Sequence, residues 1–125
     1  SSTSRGLGDV YKRQKLRSWW DFDEVQALRQ KAFGEWEGMH ATPAEISITQ
    51  VHHRRLDPDL AKDPPMRLSA AYIKAHSGDR HADPISHQRT FPDGRVGSHS
   101  ALARPHIGTQ LIALAAQAIV DELSD

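Results

Sequence analysis

The chain has 125 residues, enough for one domain with a modest core. Its 16 Lys and Arg balance 16 Asp and Glu, so the formal net charge is zero and gives no electrostatic footprint for nucleic acid or an anionic membrane. Cysteine is absent, which excludes disulfides and thiolate metal sites, and no apolar run approaches the roughly 20 residues of a membrane span.

Residues 1–14, SSTSRGLGDVYKRQ, are small, polar and glycine-bearing, and they are set aside as a non-native, adapter-like tail. The domain is read from residue 15 to residue 125. Residues 15–20, KLRSWW, read as the end of a strand. Asp21 to Asp23 then open a helix with Val25, Leu28 and Ala32 on one face, and Gly34 closes it.

Thr42-Pro43-Ala44-Glu45 is a capping box with proline at the first helical position. It predicts a helix from Pro43 to about His53, with Ile46, Ile48 and Val51 as its apolar positions. From Leu56 to Arg80 prolines, charges and turn residues predict connecting structure, with room for a short strand or helix near Leu68–Lys74. Residues 81–106 read as a second loop-rich stretch with a turn at Pro92-Asp93-Gly94. The last helix is plain: Ile107, Leu111, Leu114, Ala115, Ala118, Ile119 and Leu123 form a stripe. Ile112, Ala116 and Val120 widen it, which predicts cover on more than one side.

The strings SWWDF and GEWEGMHATPAEISITQ resemble a segment of the creatininase family, in which a tryptophan-bearing strand end leads to a His-Ala-Gly-x-x-Glu-Thr-Ser motif. Here that motif stands as His40-Ala41-Thr42-Pro43-Ala44-Glu45-Ile46-Ser47. FPDGRVGSHSALARPHIGTQLI is similar to the C-terminal pattern of the same family. The resemblance implies an α/β fold, the C-terminal part of a three-layer α/β/α sandwich with a mostly parallel sheet. It also implies a metal-dependent amidohydrolase that opens a C–N bond in a cyclic or otherwise unusual amide.

In such an enzyme a pair of divalent metals, zinc or manganese, generates hydroxide. His40 takes the place of the histidine that passes a proton to the leaving nitrogen, and Glu45 that of the acidic residue five positions on. Trp20 and Trp36 match aromatic residues lining the substrate pocket. An imidazole can take and return a proton near neutral pH, worth typically 10²–10⁴-fold in rate, and indole faces suit a small planar heterocycle. The parent would be a cytoplasmic homo-oligomer, a hexamer by resemblance, with a small cyclic amide as substrate and neither nucleic acid nor membrane as partner.

The sequence departs from the family pattern in three places. Met39 stands where an acidic residue is common, and Thr42-Pro43 replaces a glycine-containing stretch, which points away from creatinine itself. The chain also has no asparagine and no His-Gly pair, so the family's metal motifs, Glu-x-His-Gly and Asn-Gly-His-Gly-x-Asn, are missing. Metal ligands are therefore expected nowhere in this chain, and catalysis is not expected from it alone.

Other readings of the same residues stay open. Glu45 is explained by the capping box, His40 by a structural hydrogen bond, and Trp20 and Trp36 by a core. His52-His53 read as solvated surface. His76, His81, His87, His99 and His106 sit at no recognised ligand spacing, although a different metal hydrolase could be built on them. Arg95 and Ser98 read as turn structure. The rival function is a non-catalytic domain that binds a small ligand on the same frame.

Overall fold

The computed structural model describes residues 13–53, 55, 57, 59, 61–78, 80 and 82–124. Of the tail set aside at residues 1–14, only Arg13 and Gln14 fall among them, and His81 lies outside them. The α-helices are α1 (Asp23–Phe33), α2 (Pro43–His52), α3 (Ala70–His76), α4 (Pro84–Thr90) and α5 (Pro105–Leu123). Single 3-10 turns occur at Trp19–Asp21, Gly34–Glu37 and Ser100–Leu102.

Helix α1 carries Asp23 and Glu24 in its first turn, where carboxylates meet the positive end of the helix dipole. It stops at Gly34, whose positive φ ends the helix while its N–H still donates to the Gln30 carbonyl. Helix α2 begins with the full reciprocal cap: Thr42 Oγ1 accepts from the Glu45 amide at 3.1 Å, and Glu45 Oε2 accepts from the Thr42 amide at 3.1 Å. Pro43 has no N–H to lose, and Glu37 Oε1 takes the Ala44 amide at 3.0 Å. Every early donor of α2 is thus accounted for. Thr42→Ala should lower stability by about 1 kcal/mol, read from the urea midpoint at constant m value.

Helix α5 packs chiefly on α2 and secondarily on α1. Val25, Phe33, Ala44 and Leu111 form the buried centre, with Phe22, Leu28, Ile48 and Leu114 packed around it. Full burial of a side chain such as Leu111 contributes about 1.5–3 kcal/mol. The start of α5 is pinned to α2 through Ser47, which is fully buried. Its hydroxyl donates to the Pro43 carbonyl at 2.6 Å and accepts from the Arg104 amide at 2.9 Å. One turn into α5, a Cβ at Gly108 would overlap the Ser47 carbonyl, so the two helix backbones meet there.

The expected α/β sandwich is overturned. Among the described residues there is no sheet, and the one extended pairing is an isolated antiparallel bridge between His40 and Val96. A strand needs a partner for its backbone groups, and the residues linking these helices are broken by Pro64-Pro65, Pro92 and turn glycines. KLRSWW is accordingly not a strand end, and its two tryptophans enter a 3-10 turn. The stretch 81–106 is not all loop either. Asp83 caps α4 through the Ser86 amide at 3.1 Å, with Pro84 at the first helical position.

Within a single chain, the described residues leave part of the apolar surface of the last helix uncovered. Leu111 is buried, Ile107, Leu114 and Ala115 are half-buried, and Ile112, Ile119, Val120 and Leu123 are exposed. No helix among the described residues is long and apolar enough to cross a membrane.

Candidate functional site

The segment between α1 and α2 carries His40 and is held by backbone contacts rather than by a sheet. The Met39 amide donates to the Val96 carbonyl at 2.9 Å, and the Val96 amide to the His40 carbonyl at 3.3 Å. Gly38 lies against Gly97 and Ser98 so closely that any Cβ would overlap their atoms. Ala41, beside the histidine, has φ of +56°, in the left-handed region that a residue with a Cβ adopts at a cost. Ser100 Oγ donates to the Ala41 carbonyl at 2.6 Å and holds it there. A strained residue fixed by a dedicated hydrogen bond is common beside sites that need a defined side-chain direction.

An open cavity of about 650 Å³ lies in front of this segment. His40, Glu45 and Trp20 all line it, together with Asp21, Arg29 and His76. Trp20 stands edge-on to Trp19, with ring centroids 5.9 Å apart. Arg29 is neutralised by Glu37, whose Oε2 it meets at 2.6 Å, and its Nη1 donates to the Trp20 carbonyl at 3.1 Å. Glu45 Oε2 is engaged twice by Thr42, through the amide and through the hydroxyl at 3.0 Å. Glu45 therefore lines the cavity while its carboxylate serves the helix cap.

Trp36 is the one candidate held apart. It lines a neighbouring cavity with Glu35 and Arg67, and only Gly38, Met39 and Ile73 border both spaces. The Arg67 guanidinium lies 4.8 Å from the Trp36 ring, and His99 meets its edge at 5.6 Å. Burial pushes the His99 imidazole below its ordinary pKa, the Arg95 charge adds to this, and Asp63 opposes it. Its Nδ1 is buried without a hydrogen-bond partner.

Arg95 closes a loop: it meets Asp93 Oδ2 at 2.8 Å and donates to the carbonyls of Ala61 and Asp63. Ser98 is buried and donates to the Val96 carbonyl at 3.3 Å. His52 and His53 are exposed.

The sequence reading did not place His76 or His87 at the site. His76 lines the cavity from α3. His87, on α4, meets the His40 ring with centroids 6.0 Å apart and planes at 79°. Their only signal in the sequence is histidine frequency, which says nothing about convergence. Among the described residues no group of three or more His, Asp or Glu side chains is placed to hold a metal ion. The donor set that the resemblance implies for a metal pair is not supplied by them, and no chemical step is assigned to a metal here.

Comparison with protein-family models and with curated proteins returns no match for this chain.

Proposed function

We propose that this chain carries the substrate-facing part of a creatininase-type amidohydrolase, acting on the C–N bond of a cyclic or otherwise unusual amide. One observation carries the reading: Trp20, some twenty residues earlier in the chain, lines a single cavity with His40 and Glu45. In this scheme the indole of Trp20 stacks on a planar substrate, and the His40 imidazole takes and returns a proton at the leaving nitrogen. Glu45 fixes the start of α2 and presents a carboxylate to the same space. The zinc or manganese pair would be held by the intact parent, a cytoplasmic oligomer, and not by this chain.

The test uses the reading frame extended upstream of Lys15, expressed and assayed on a panel of cyclic amides. His40→Ala should lower kcat by about 10²–10⁴-fold with an unchanged melting temperature. Full turnover in that variant would remove His40 from the chemistry.

A second reading, a non-catalytic small-ligand-binding domain, is favoured by the engagement of Glu45 Oε2 in the helix cap. It predicts that the extended chain binds planar amides without converting them, and that His40→Ala weakens binding alone.

A further inference from the structure

We infer that His87 is a positioning residue for His40, an inference that rests on His40 as the proton-transfer group of the proposed site. His40 and His87 meet edge to face, with centroids 6.0 Å apart and planes at 79°, within the range aromatic rings prefer. A ring packed against an imidazole narrows the rotamers open to it.

His87 is itself fixed. It packs on Phe91 at 5.3 Å, and Phe91, which is buried, meets Tyr72 at 5.4 Å. Tyr72 stacks on His76 at 4.1 Å with planes only 20° apart. His76 Nδ1 lies 3.1 Å from the Tyr72 carbonyl oxygen, which anchors that last ring to the backbone of α3.

This run of rings starts at His40 and ends at His76, and both of those line the same cavity. Helices α3 and α4 are short, seven residues each, and neither contributes a residue to the buried core cluster. The ring contacts are what their position offers the site. Holding a reacting group in one geometry matters because a displacement on the order of 1 Å can cost about 10²-fold in rate.

The experiment is histidine footprinting with diethyl pyrocarbonate and peptide mass spectrometry, on the 125-residue chain and two variants. His87→Phe keeps a ring at the contact. His87→Leu keeps the volume but not the ring. Carbethoxylation of His40 is read as a ratio to that of the exposed His106, and general unfolding is read separately from the melting temperature of each chain.

The expected result is a His40 ratio near that of the unsubstituted chain in His87→Phe and a several-fold rise in His87→Leu. Equal ratios in the two variants, high or low, would overturn the inference, because filling space would then suffice or the ring would have no effect. The assay uses no substrate, so it is independent of turnover. A supporting footprint beside a fully active His40→Ala parent would retain the positioning of His40 and remove its catalytic reading.

Discussion

Gly108→Ala should destabilise the chain by about 3 kcal/mol, although glycine to alanine inside a helix ordinarily gains about 1 kcal/mol of helix propensity. The sign reverses because of what lies opposite. A Cβ at Gly108 would overlap the carbonyl oxygen and carbon of Ser47 and crowd the Ile48 amide nitrogen. All of these atoms belong to the backbone of α2, so no side chain can rotate aside.

Relief would require α5 to move away from α2, and this is the largest helix–helix contact among the described residues. Such a shift would also pull the Arg104 amide from Ser47 Oγ, which it meets at 2.9 Å, and loosen the packing around Leu111. For a chain of this size the loss corresponds to a fall in Tm of about 12 °C. Thr109→Ala, one position on and exposed, is the control and should stay within about 0.5 kcal/mol. A Gly108→Ala chain as stable as the unsubstituted one would mean that α2 and α5 do not meet backbone to backbone.

Local rules made much of this helical frame readable in the sequence. Thr42-Pro43-Ala44-Glu45 determines α2 because every donor it must satisfy lies within three residues, and the structure shows both halves of the box. Gly34 ends α1 for the equally local reason of its positive φ. Helix α4 obeys the same grammar with Asp83 and Pro84, yet its residues carry no apolar period, so periodicity gave it no weight.

The sheet failed for a different reason. Strand formation is a property of pairs of segments, and KLRSWW finds no partner among the described residues, whatever its resemblance to a strand end.

The candidate site divides along the same line. His40 and Glu45 are close in sequence and flank one helix start, so their shared cavity could be anticipated. Trp20 joins them only because α1 folds back, bringing Arg29 Nη1 to the Trp20 carbonyl and its Nε to Glu37. Trp36 lies nearer to His40 in sequence than Trp20 does, but the positive-φ turn at Gly38 turns the chain between them. Trp36 then packs with Arg67 and His99 instead. His87 reaches His40 through a ring contact across a long separation, and His76 reaches the cavity with α3; a single sequence carries no signal for either.

Glu37→Ala should cost about 3–5 kcal/mol, because it removes one side chain that two different groups depend on. Glu37 is nearly buried, its side chain 9% exposed, with Oε2 at 2.6 Å from Arg29 Nε and Oε1 accepting the Ala44 amide at 3.0 Å. Truncation would leave a guanidinium only 20% exposed without its counter-charge, and would leave an early α2 donor without an acceptor.

Arg29→Ala should cost less. It removes the buried positive charge itself, and the Glu37 carboxylate keeps the Ala44 amide as a donor. The double variant should then cost less than the sum of the two single variants, since the stranded guanidinium is no longer present. Urea titrations of the four chains provide that cycle, and single costs that add within about 0.5 kcal/mol would mean the pair is not coupled.

The outcome bears on the site as well as on stability. Arg29 holds the Trp20 carbonyl and Glu37 holds the start of α2, so this one ion pair joins the tryptophan wall of the cavity to the helix that carries Glu45. A Glu37→Ala chain examined below its melting point should therefore lose the Trp20 side of the cavity before it loses α5 from α2. Hydrogen exchange should show this as faster exchange at the amides of Asp21 and Ala44 than at that of Leu111.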